Sequence, residues 1–132
     1  MIYTIGKKND RDLFRLIGKA ALDPETHKKL GYHVTTKNGD IWAVTNDGNN
    51  FIVASQLASH FLKIRLALFE TETAFSAMLE EIIKYAIDKR FIGIKANDRK
   101  DNALLYKRYG FEIETLIGKN FANYKKEFSS AK

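Results

Sequence analysis

The sequence has no cysteine, which excludes disulfides and thiol catalysis and fits a cytosolic protein. Its three histidines, His27, His33 and His60, lack metal-ligand spacing, so no metal site is expected. No apolar run approaches the roughly 20 residues needed to cross a bilayer, because Lys63 and Arg65 interrupt the best one. Residues 1–8 lack the apolar core of a secretory leader, so a cytoplasmic location without membrane association is expected.

What is present suits one domain over residues 1–132, with 45% hydrophobic and 12% aromatic residues to build a core. The net charge of +6 reads either as a solvated basic surface or as a surface for an acidic partner. The basic residues are dispersed, with a mild concentration at Arg99, Lys100, Lys107, Arg108, Lys119, Lys125 and Lys126, and no nucleic-acid motif accompanies them.

The clearest pattern lies in residues 61–96. Leu62, Ile64, Leu66 and Leu68 alternate with Phe61, Lys63, Arg65, Ala67 and Phe69, so the two sets are assigned to opposite faces of a strand. Phe75, Met78, Leu79, Ile82, Ile83, Ala86 and Ile87 then form one apolar helical stripe. Residues 91–96 read as a second strand. Strand, helix and strand in this compact form predict a βαβ unit with parallel neighbours and a right-handed crossover.

Upstream, residues 2–5 read as a strand. Asn9 or Asp10 caps a helix bearing Leu13, Phe14, Leu16, Ile17, Ala20 and Ala21, and Asp23-Pro24 starts another that Gly31 stops. Asn38-Gly39 and Asp47-Gly48 mark turns separating strands at 32–36, 40–45 and 51–57. After a short polar helix, residues 111–117 and 121–128 form a closing hairpin around Gly118. The expectation is a mixed α/β fold. It has a sheet of about seven strands, with an antiparallel meander, the βαβ unit and a C-terminal hairpin, flanked by about four helices.

The segment Leu105-Tyr106-Lys107-Arg108-Tyr109-Gly110-Phe111 resembles the Leu-Tyr-x-x-x-Gly-Phe pattern of the GNAT superfamily of N-acetyltransferases, and the preceding 77–83 helix resembles that family's central helix. The resemblance implies a GNAT fold, acetyl-CoA as cofactor and a small-molecule or protein amine as acceptor. It also implies that Tyr106 protonates the leaving thiolate; packing of the ring on the sheet is the competing role. The cofactor would meet Leu68, Phe69, Glu70, Thr73, Ala74, Phe75, Ser76, Asn97 and Tyr106. Asn97 would end the second parallel strand and touch the pantetheine arm, or else cap a helix, as would Asp101 or Asn102.

The family's Arg/Gln-x-x-Gly-x-Gly/Ala loop is degenerate here. Glu70 stands in the Arg/Gln position and Thr73 and Phe75 in those of the glycines, and no glycine occurs between Gly48 and Gly93. An acidic side chain opposes a diphosphate, and a bulky one obstructs close backbone approach. Glu70, Glu72 and His60 are the nearest candidates for a general base, each expected to face solvent. Lys63 and Arg65 either snorkel at a sheet edge, the preferred assignment, or line the cleft and select an acidic acceptor. The alternative to an enzyme is a non-catalytic GNAT-fold protein in assembly or partner binding, as among proteins of tailed bacteriophages; the location would then be the host cytoplasm.

Overall fold

A computed structural model describes residues 2–4, 13, 15, 17 and 39–128. Strands β1 (Ile2–Thr4), β2 (Ile41–Val44), β3 (Phe51–Gln56) and β4 (Phe61–Leu68) lead into helix α1 (Glu72–Asp88) and strand β5 (Gly93–Arg99). A 3-10 turn (Lys100–Asn102), helix α2 (Ala103–Arg108), and strands β6 (Glu112–Ile117) and β7 (Phe121–Glu127) follow. All the strands join one seven-stranded sheet in the order β1-β2-β3-β4-β5-β7-β6. β1 to β4 form the antiparallel meander, β4 and β5 the parallel pair, and β6 and β7 the closing hairpin.

The mixed sheet agrees with the expectation, but two helices, not four, have bounds among the described residues. The first two expected helices and the 32–36 strand lie outside those residues, apart from Leu13, Arg15 and Ile17, which are helical. Leu13 and Ile17 pack with Tyr3, Trp42, Val44, Phe51, Val53, Leu66 and Leu68 on one face of the sheet. α1 packs on the other face through Phe75, Met78, Leu79, Ile82 and Ala86. Its expected stripe is too wide. Ile83 is half-buried and Ile87 is 55% exposed, because this pair forms a separate row at the margin of the buried face.

The single-face assignment for β4 is corrected by its partners. Leu62 and Ile64 belong to the cluster under α1, whereas Leu66 and Leu68 belong to the opposite cluster. Consecutive residues Val53 and Ala54 of β3 pair with Leu66 and Ile64, so Arg65 is an extra residue in the ladder. Such a bulge bends the strand and reverses the facing of everything after it. β4 is also an interior strand, so Arg65 does not snorkel at a sheet edge. Its Nη2 lies 2.6 Å from Asp40 Oδ2, and its Nε donates to Ser55 Oγ at 2.6 Å. Asp40 and Ser55 are buried, and Ser55 Oγ also donates to Asp40 Oδ1.

β5 starts two residues later than expected and runs on through Asn97 to Arg99. The shift has two causes. Phe91 N–H is used to end α1, and Ile92 N–H donates to His60 O. Meanwhile the polar residues 97–99 complete a ladder with Asn123, Ala122 and Phe121, so pairing overrides their low strand propensity.

Candidate functional site

The bulge determines where the sheet opens. β4 and β5 pair from Phe61↔Gly93 to Ile64↔Ala96, and the pairing stops there, next to Arg65. Beyond it, residues 66–68 pair only with β3, and residues 97–99 only with β7. The strands therefore part after Ile64 and Ala96. The opening holds a cavity of about 200 Å³ lined by Ala67, Leu68, Phe69, Asp98, Arg99, Asn102 and Phe121.

Tyr106 lies behind this opening, and the local sequence explains its position. Gly110 has φ 85°, Gly110 N–H donates to Lys107 O, and Phe111 N–H donates to Tyr106 O. These two bonds form a Schellman stop, which wants glycine at the left-handed position and an apolar contact across it. Phe111 supplies that contact, with its ring 5.3 Å from that of Tyr106. The Tyr-x-x-x-Gly-Phe spacing is thus a helix terminator that also fixes the phenol. Tyr106 is fully buried, stacked on Tyr124 at 4.4 Å and edge-on to Phe75 at 5.2 Å.

The Tyr106 hydroxyl donates to Asp98 Oδ2 at 2.7 Å. Asp98 was not among the sequence candidates. It lies on the same strand face as Ile94 and Ala96, and an acidic residue at an inward position of a strand was the available signal. Its Oδ1 accepts from Arg99 N–H at 2.7 Å and Asn102 Nδ2 at 3.1 Å. Burial raises the Asp98 pKa above the ordinary carboxylate value, against the lowering effect of the bonds from Tyr106, Arg99 and Asn102. Tyr124 is pushed up to about 12 by burial and by the charges of Asp98 and Asp101. It stays protonated and donates to Arg99 O at 2.8 Å.

The fit to acetyl-CoA differs between the two ends of the opening. Between the strands, β4 and β5 leave their facing backbones unpaired to each other, and a mixed wall, Ala67, Leu68, Phe69 and Phe121 beside Asp98, Arg99 and Asn102, suits a thin, amide-bearing pantetheine arm. The diphosphate end is poorer. Glu70 N–H is committed to Asn50 Oδ1 at 2.6 Å, and Ala74 N–H to Thr71 Oγ1 at 3.1 Å. Glu72 and Thr73 are left as the first-turn residues facing solvent. Arg108 lies 3.6 Å from Glu72 and offsets its charge. Phe75 does not obstruct the loop, because its ring is fully buried against Phe69 at 4.7 Å.

The remaining candidates do not all converge. Leu68 and Phe69 line the opening, and Ala74 and Ser76 lie in the first turns of α1. Asn97 neither ends β5 nor caps a helix. Its Nδ2 donates to Asn123 Oδ1 at 3.0 Å, on the face opposite Asp98. Asn102 occupies the start of α2, but its side chain serves Asp98 and makes no helix cap.

No protein-family model matches the chain, and no curated protein matches its sequence. Solved structures do match. Ard1 from Thermoplasma volcanium is 14% identical over 98% of each chain, with a TM-score of 0.59. The aminoglycoside 6'-N-acetyltransferase from Enterococcus faecium is 12% identical over 96% of each, with a TM-score of 0.62. The PaiA N-acetyltransferase from Thermoplasma acidophilum, in complex with coenzyme A, is 16% identical over 67% of this chain and 60% of that one, with a TM-score of 0.53. These likenesses show the fold: the chain has the fold of the GNAT superfamily of N-acetyltransferases.

Proposed function

We propose that this GNAT-fold chain is an acetyl-CoA-dependent N-acetyltransferase that acts on an amine of a small molecule or a protein. The observation that carries the proposal is the opening between β4 and β5 with the Tyr106–Asp98 pair behind it. Acetyl-CoA supplies an activated acetyl thioester when bound. Ala67, Leu68 and Phe69 would hold its arm, and the start of α1 at Glu72 and Thr73 would meet its diphosphate.

Tyr106 is the proton donor of this proposal. While Asp98 is ionised, the phenol proton is committed to Oδ2. When Asp98 carries a proton, its carboxyl can donate to the Tyr106 oxygen and free the phenol hydrogen for a leaving thiolate. Burial shifts Asp98 toward that protonated form, the form in which Tyr106 can act as a donor. Phe75, Phe111 and Tyr124 enclose the phenol and exclude water from it.

Calorimetric titration with acetyl-CoA and CoA, followed by a thiol-release assay on an amine panel, tests the proposal. Binding and turnover are expected, with Tyr106→Phe lowering turnover by about 10²–10⁴. Unchanged turnover in that variant removes Tyr106 from catalysis. The diphosphate end favours a second reading, because the Glu70 amide is already taken and no glycine stands at the start of α1. In it, the chain is a non-catalytic partner-binding or assembly protein. Absence of both acetyl-CoA binding and turnover would make this second reading the better one.

A further inference from the structure

Lys63, Lys95 and Lys125 are direct partners across β4, β5 and β7. Ile64, Ile94, Ala96, Ala122 and Tyr124 pack under α1, so strand alternation puts the three lysines in one row on the opposite face. Like charges directly opposite one another destabilise a sheet. The row is only partly compensated. Lys125 takes both nearby carboxylates, Glu127 at 2.9 Å and Glu114 at 3.9 Å. Lys95 and Lys125 also lie 5.2 and 5.4 Å from the centre of the Phe61 ring. Among the described residues, no carboxylate stands within ion-pair distance of Lys63 or Lys95.

Two further features turn this cost into a site. A groove of about 250 Å³ lies over Lys63 and Lys95, lined also by Leu57, Asn123 and Glu114, whose carboxylate stands 3.9 Å from Lys125. The row is also one residue short of Ile64 and Ala96, where β4 and β5 part. An anion on Lys63 and Lys95 would sit about one strand rise, about 3.3 Å along the chain, from the mouth of the opening.

We propose that Lys63 and Lys95 hold an anionic group, carboxylate or phosphate, on the acceptor, so that the substrate is an amine carrying a negative charge close to its nitrogen. The inference rests on the acetyl-transfer reading above and adds the substrate class to it. A polycationic amine would be repelled by the same row.

The test uses the chain of residues 1–132, with phosphoethanolamine and β-alanine as the two anionic arms, and ethanolamine and spermidine as controls without an anionic group and with several cationic ones. Binding is measured by titration and turnover by thiol release, in the native chain and in Lys63→Gln/Lys95→Gln. The native chain should prefer one or both anionic amines, and the double variant should bind them about tenfold more weakly per lysine removed. Relief of like-charge repulsion should raise the variant's melting temperature by a few degrees, so weaker binding cannot be ascribed to misfolding. Equal use of ethanolamine and the anionic amines, or unchanged KM in the variant, overturns the proposal and leaves acetyl transfer standing. Anion binding that depends on both lysines without turnover of any amine has the reverse meaning: the anion site stands and acetyl transfer falls.

Discussion

The two halves of β4 differ in what their backbones bond to. Residues 62–64 are paired on both sides, to β3 and to β5, whereas residues 66–68 are paired to β3 alone. Both halves are rich in the same apolar residues, so hydrophobicity does not distinguish them. The difference is one extra residue, Arg65, which Ser55 on β3 and Asp40 just ahead of β2 help to hold. The comparison teaches that an opening in a sheet can be produced by a count of residues, with no special sequence in the opened segment.

The largest expected effect lies under the open half. Phe75 packs on Phe69 and Tyr106 where β4 has no β5 partner. Phe75→Ala should cost about 3–5 kcal/mol in urea unfolding, as a cavity beneath an unpaired strand. A loss under about 1 kcal/mol would mean that the open half is not supported from below. Next comes the divider itself. Arg65→Met removes the guanidinium from the buried Asp40 carboxylate and should cost about 3 kcal/mol. Adding Asp40→Asn should restore part of that loss. If Arg65→Met leaves hydrogen-exchange protection at residues 97–99 unchanged, the ion pair does not govern the opening.

On the closed half, a Cβ at Gly93 would collide with Lys126 O and with the Phe61 ring. Gly93→Ala should cost about 1–3 kcal/mol through overpacking, with little effect on acetyl-CoA binding. A variant that loses binding while staying folded would show that the two halves are not separable.

The smaller effects concern the Tyr106–Asp98 pair. Tyr106→Phe should cost about 1 kcal/mol, more than packing of an intact ring suggests, because Asp98 loses a donor. The raised Asp98 pKa gives a pH effect of definite sign. The folded state binds the proton more tightly than the unfolded state, so this contribution is complete below the ordinary aspartate pKa. It is lost as pH rises through the raised folded value. The native chain should therefore lose stability relative to Asp98→Asn as pH rises through that value, read from thermal melts of both. Parallel curves would show that the folded Asp98 pKa is not raised.

Much of the fold was legible because α1 and its flanking strands have strong, distinct periods, and the Tyr106–Phe111 spacing encodes a helix stop. The bulge was not, because an inserted residue in an alternating run looks like the next member of the alternation. Arg65 seemed to share a face with Lys63, and only its partners Asp40 and Ser55, far away in sequence, reveal otherwise. Asp98 was hidden for a related reason. Residues 97–99 look like a loop until β7 pairs with them, and only then does their alternation put Asn97 and Asp98 on opposite faces.

The stop that ends α2 is also used to end α1. Arg90 N–H donates to Ile87 O, and Phe91 N–H to Ala86 O, in the arrangement that Gly110 and Phe111 make after Tyr106. The residue in the left-handed position here is Arg90, at φ 62°, where an L side chain is disfavoured by about 1 kcal/mol. The chain sits below its attainable thermal limit, and Arg90→Gly, on the exposed turn into β5, is a place where an engineer could raise it without touching the opening.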